Sequence, residues 1–203
     1  MNLRLIPTMM GMMMGLALTA TPALAKKKEP VTPAPTQLST VVDTDITHEP
    51  ENVLLLDLSD GGRVAIRLMP QWAPTHVARI KELTSQGFYN GLVFHRVIDG
   101  FMAQTGDPTG TGSGGSDKPD LKAEFSSEPH KRGTVSAART ANPNSANSQF
   151  FICFERAPWL DKQYSVWGEV IEGMDVVDQI KRGEPVRDPD SITTLRVAAD
   201  AEA

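Results

Sequence analysis

A mainly β domain, an antiparallel barrel or sandwich with two short helices, is the fold class that the sequence predicts. Short apolar runs of strand length recur along residues 51–200, many of them next to Gly, Asn or Asp. That punctuation marks strands joined by turns. Helical period shows in only two stretches, and strand and helix do not alternate as they would around a parallel sheet. With a leader and a linker set aside, about 150 of the 203 residues remain, enough for one core.

The elements follow in order. Val53 to Leu58 is a strand, Asp60-Gly61-Gly62 a turn, and Arg63 to Leu68 a second strand. In that second strand Val64, Ile66 and Leu68 share one face, and Arg63, Ala65 and Arg67 the other. The period then changes. Pro74 suits a first helical position, Val77, Ile80 and Leu83 recur on one side, and Gly87 suits the stop. After the Asn90-Gly91 turn, Leu92 to Ile98 and Phe101 to Gln104 read as strands around Asp99-Gly100. Residues 106–120, rich in Gly, Ser and Asp, read as loop. Thr134 to Ala138, Gln149 to Cys153 and Tyr164 to Val170 read as three further strands. Gly173 to Arg182 reads as a second short helix ended by Gly183, and Ser191 to Val197 as the closing strand. The total is about seven or eight strands, with two amphipathic helices free to cover the ends of a barrel.

The first 25 residues lie outside this domain. Arg4, the apolar stretch Met9 to Leu18, a polar break and the A-x-A site Ala23-Leu24-Ala25 have the form of a cleaved secretory signal peptide. The apolar run is shorter than the ~20 residues of a membrane span. Cleavage after Ala25 and export, to the periplasm, are therefore expected, without stable membrane insertion. Residues 26–48, with Pro30, Pro33 and Pro35, read as a flexible tether, and 49–203 as the folded domain. A monomer is expected, because no spare apolar helix remains.

Several chemistries drop out. The net charge is −5 with no Lys/Arg block in the domain, so a nucleic-acid partner is not indicated. Gly110 to Gly115 matches G-x-G-x-x-G, yet Ser116-Asp117-Lys118-Pro119 follows rather than a helix, and the segment reads as a plain loop. His76, His95 and His130 have no G-x-S-x-G elbow to serve, and no His or Cys pair has metal-ligand spacing, so no metal site and no cofactor are expected. The lone Cys153, between Ile152 and Phe154, reads as a buried, inert thiol.

One constellation remains: Phe94-His95-Arg96 against Phe101-Met102-Ala103-Gln104, with Phe150-Phe151 and Trp159-Leu160 further on. By composition alone its aromatics would be core and Arg96 a surface ion-pair residue. The wording is more specific. The string from Phe94 to Asp107, FHRVIDGFMAQTGD, closely resembles the cyclophilin signature, and Asn144 to Ile152, NSANSQFFI, resembles that family's second block. Trp159-Leu160-Asp161 and Val166-Trp167-Gly168-Glu169-Val170 are similar to two more of its segments, in the right order.

The resemblance covers residues 51–200 and implies an eight-stranded antiparallel β-barrel capped by two helices. It implies a peptidyl-prolyl cis-trans isomerase acting on proline-containing unfolded or partly folded polypeptides, with Arg96 and Gln104 as catalytic residues. It implies a substrate site at Phe101, Met102, Ala138, Arg139, Gln149, Phe151, Trp159, Leu160 and Tyr164, and cyclosporin as a candidate ligand at Trp159. Ser136 to Thr140 is similar to bacterial members, which carry Arg-Thr where eukaryotic ones carry Asn. Where many members have His, this chain has Tyr164. Two readings of other classes compete: a proline-peptide-binding chaperone module without turnover, and a purely structural barrel.

Overall fold

A computed structural model describes residues 41–201. The stretches read as signal peptide and as tether lie outside the described residues up to residue 40. Eight strands form one antiparallel sheet: β1 (Val53–Leu58), β2 (Arg63–Leu68), β3 (Arg96–Ile98), β4 (Met102–Thr105), β5 (Thr134–Ala137), β6 (Phe150–Cys153), β7 (Val166–Glu172) and β8 (Ile192–Val197). Their order is β3-β4-β6-β5-β7-β2-β1-β8. The sheet curls until its two edges meet. There Phe94 N–H donates to Asp190 O (2.9 Å) and Ile192 N–H to Leu92 O (2.8 Å). Two helices pack against the barrel, α1 (Pro74–Ser85) and α2 (Met174–Val177). No helix among the described residues is long and apolar enough to cross a membrane.

Helix α1 starts at Pro74, which has no N–H to leave unpaired. Its next donors go to one carboxylate: Glu124 accepts from Thr75 N–H (3.0 Å), His76 N–H (3.0 Å) and the His76 ring (2.6 Å). Burial of Val77, Ile80 and Leu83 fixes the inward face. At the far end Gly87 adopts φ +67°, a left-handed position at which side chains are strained.

The period-2 geometry of strands sets up the site. In β6, Phe150 and Ile152 point into the barrel, where they join Leu54, Ile66, Val135 and Trp167. Their neighbours Phe151 and Cys153 point outward into a second apolar cluster with Met102, Ala157 and Leu160. Both faces of β6 are buried, so FFIC shows no alternation of its own.

Four expectations need adjustment. Only Arg96–Ile98 of the 92–98 run joins the ladder to β4, because Leu92 and Phe94 are committed to the seam with 190–192. The 164–170 strand begins at Val166: Tyr164 turns to the outer cluster, and the Ser165 hydroxyl accepts from Glu124 N–H (2.9 Å). The second helix is one turn, not a run to Arg182. Its continuation is diverted when Lys181 N–H bonds the Asp190 carboxylate (2.8 Å) and Gly183 exchanges backbone bonds with Val97 (2.8 Å each). Arg67, on the outer face of β2, is only 2% exposed, because residues 43–49 lie over it. Its guanidinium donates to the carbonyls of Asp43 (2.8 Å), Asp45 (2.5 Å) and His48 (2.7 Å), so the end of the stretch read as tether is held on the domain.

Candidate active site

The outer cluster of β4 and β6 is not sealed. It opens as a cup of about 100 Å³ lined by Arg96, Phe101, Met102, Gln104, Ala138, Arg139, Phe151, Leu160 and Tyr164. Register explains the assembly. Arg96 pairs with Gln104 across β3 and β4, and Gln104 pairs with Phe151 across β4 and β6, so all three side chains rise from one face. Phe101 closes the turn before β4, and Leu160 comes from the 3₁₀ turn Pro158–Leu160. Phe151 and Tyr164 meet edge to face, with ring centres 5.8 Å apart.

All the residues read from the sequence as a site line this cup except Gln149 and Trp159. Gln149 lines an adjoining groove of about 510 Å³, with Gly112 to Ser116, Asn147 and Arg139. Trp159 stands on the rim, 58% exposed, with its ring 5.6 Å from that of Phe101. Arg139 folds over Tyr164, its guanidinium carbon 4.3 Å from the ring centre, and donates to Gln163 O and Thr140 O.

A chain of amides runs from the groove to Arg96. Gln149 Nε2 donates to the carbonyls of Gly112 (3.0 Å) and Gly114 (2.8 Å). Its Oε1 accepts from Gln104 Nε2 (2.8 Å), and Gln104 Oε1 faces Arg96 Nη1 at 3.4 Å. The 106–114 loop that anchors this chain is wound around the buried Asp107. That carboxylate accepts from the N–H groups of Thr109 (2.7 Å), Gly112 (2.6 Å) and Gly114 (3.1 Å). Burial alone would raise its pKa, but these bonds outweigh burial and hold it well below the usual range. Gly106 admits no side chain, because a Cβ there would meet Ser148 O at 2.4 Å.

Behind the cup lies an arrangement that the sequence concealed. His130 is fully buried, its Nδ1 3.2 Å from Asp161 Oδ1 and its Nε2 2.9 Å from Ser136 Oγ. This has the connectivity of a hydrolase triad. Ser136 lies within β5 and is itself fully buried, and the His130 ring is stacked behind Phe151 at 6.2 Å, so the hydroxyl has no path to a substrate. The trio braces the cup wall. Burial pushes the His130 pKa down, against the pull of Asp161. Arg156 bonds Asp161 and, with His130, holds its carboxyl down to about 2.

One further group was missed. Glu184 Oε1 accepts from Arg96 Nε at 2.5 Å across 88 residues of sequence. No local pattern signals such a pair.

Comparison with known proteins points to one family. The family described as cyclophilin type peptidyl-prolyl cis-trans isomerase/CLD matches residues 53–198. A probable peptidyl-prolyl cis-trans isomerase of Brucella suis is 51% identical over 177 residues, covering 79% of this chain and 90% of that protein. The crystal structure of a cyclophilin from Hirschia baltica superposes with a TM-score of 0.69 at 31% identity, covering 75% of this chain and 76% of that one. A cyclophilin-type isomerase of Cryptosporidium parvum, solved in the presence of the dipeptide Ala-Pro, gives a TM-score of 0.66 at 26% identity, covering 71% of this chain and 98% of that one.

Proposed function

This chain belongs to the cyclophilin-type peptidyl-prolyl cis-trans isomerases, and on that premise we propose that Arg96 is the group that lowers the rotation barrier in its cup. The protein accelerates rotation about X-Pro bonds and so assists folding. The barrier is ~18–20 kcal/mol, because the C–N bond is partly double. Uncatalysed exchange takes ~10–100 s. Bringing it to ~1 ms requires ~6 kcal/mol of selective stabilisation.

In the planar ground state the prolyl nitrogen's lone pair is delocalised and accepts poorly. Once the amide twists, that pair is localised and accepts well. A donor fixed beside it therefore binds the transition state in preference to the substrate. Arg96 suits this role: its fork stays charged, and a charged hydrogen bond contributes ~1.5–3 kcal/mol. The remainder falls to Phe101, Met102, Phe151 and Leu160, which grip the ring, and to the backbone near Ala138, which fixes one side while the other turns. Gln104 holds the Arg96 fork and reaches the substrate carbonyl. The observation that carries this reading is the single outer face on which Arg96, Gln104 and Phe151 sit in register.

The test is isomerisation of an Ala-Pro peptide. Arg96→Ala should lower kcat/KM at least about a hundredfold, because the donor and its geometry go together. Near-full activity in Arg96→Ala would remove Arg96 from this role. Peptide binding by the unaltered protein without acceleration would favour the chaperone module instead.

The clients in this proposal are exported polypeptides, met in the periplasm as a monomer. Its support is the leader-like pattern of residues 1–25. Cell fractionation with N-terminal sequencing tests it, with Lys26 as the expected first residue. Cyclosporin is the proposed inhibitor, supported by the exposed Trp159 ring beside Phe101. Inhibition titrations of the unaltered protein and Trp159→Ala check this.

A further inference from the structure

We propose that Glu184 is a positioning residue for Arg96, an inference that rests on the function proposed above. A guanidinium offers five N–H donors, and which of them face the substrate depends on how the plane is held. Glu184 takes the Nε donor at 2.5 Å, and Gln104 faces one Nη1 donor at 3.4 Å. The remaining donors, both of Nη2 and one of Nη1, are the edge left for a twisted prolyl amide. Gln104 and Glu184 thus hold the fork from two sides, one on the neighbouring strand and one from the seam.

The backbone around Glu184 is itself fixed. Gly183 and Val97 exchange two bonds of 2.8 Å, and Val186 N–H donates to His95 O (3.1 Å). These contacts flank Arg96 in β3 and leave Glu184 directly opposite it. The pair is partly solvated, with Arg96 side-chain exposure at 38% and Glu184 at 58%. An ion pair so exposed adds little to stability. Its effect is orientation: a long, flexible side chain is restricted to one plane before the substrate arrives. Glu184 thus acts through Arg96 and touches no reacting atom.

The experiment compares the full chain with Glu184→Ala, Glu184→Gln and Arg96→Ala, using an Ala-Pro peptide and ¹H–¹⁵N spectra of the arginine Nε–H groups. Glu184→Ala should lose about tenfold in kcat with KM unchanged, as expected for a group that only aligns the transition-state donor. Its Arg96 Nε–H signal should exchange faster with water. Glu184→Gln should recover most of the rate, because its amide oxygen still accepts from Nε. Equal melting temperatures confirm that folding is not at issue. Wild-type kcat in Glu184→Ala, a loss confined to KM, or a Glu184→Gln variant as slow as Glu184→Ala would each overturn the proposal. Arg96→Ala separates the two levels: if it stays active, the function of Arg96 falls, whereas if it is inactive while Glu184→Ala is not, only Glu184's role falls.

Discussion

Cutting the amide chain at Gln149 should slow isomerisation, although the residue stands outside the cup. Gln149→Ala removes three bonds. Two of them tie the loop at Gly112 and Gly114, and only the 2.8 Å bond to Gln104 bears on the Arg96 fork. A neutral bond of this kind contributes ~1 kcal/mol net, so kcat/KM should fall about fivefold. Gln104→Ala should cost more, because it also removes the group facing Arg96 at 3.4 Å. The decisive assay is the double-mutant cycle on an Ala-Pro peptide. If the two amides act as one chain, adding Gln149→Ala to Gln104→Ala costs almost nothing further, and the coupling is ~1 kcal/mol. The same fivefold loss in both backgrounds would refute the chain and leave two independent residues.

Three other outcomes are expected. Burial depresses the pKa values of His95 and His130, so the folded protein resists a proton that the unfolded chain takes up near ~6.5. Stability should therefore fall as pH drops through that value, by at most ~1.4 kcal/mol per pH unit for each ring, and His130→Gln should flatten the trend in urea melts at pH 7 and 5.5. The Cys153 thiol, pushed up to about 12 by burial, should resist iodoacetamide in the native protein and react promptly in urea. Arg67→Met removes the charged hydrogen bonds to the carbonyls of Asp43, Asp45, His48 and Glu49 while returning disorder to residues 43–49. A net loss of ~1–3 kcal/mol is expected, with new protease cleavage at 43–49 and unchanged kcat/KM.

The first hairpin was the easiest part to read. β1 and β2 fall at the expected residues because the apolar run Val53 to Leu58, the alternation of Arg63 to Leu68 and the Asp60-Gly61-Gly62 turn agree. Helix α1 likewise carries its own start, face and stop. The errors arose where one stretch serves two partners: within Leu92 to Ile98, Val93 bridges to Ser191, whereas Arg96–Ile98 pair with β4. The second helix was overextended because an apolar period continues through Ile180, which is buried by packing rather than by helix. The cup was legible only through the wording of two motifs, since composition assigns its aromatics to a core. Glu184 was illegible because its contact is made at the barrel seam, and the His130–Ser136–Asp161 trio because the fold, not a spacing along the chain, brings Asp161 to His130.

The clamp on residues 43–49 has a practical corollary. β2, which carries Arg67, stands four places from β4 in the sheet of eight, on the opposite wall from the cup. Residues 43–49 are thus held on the rear of the domain. A fluorophore or a chip linkage placed on residues 43–49 would leave the mouth facing open solution.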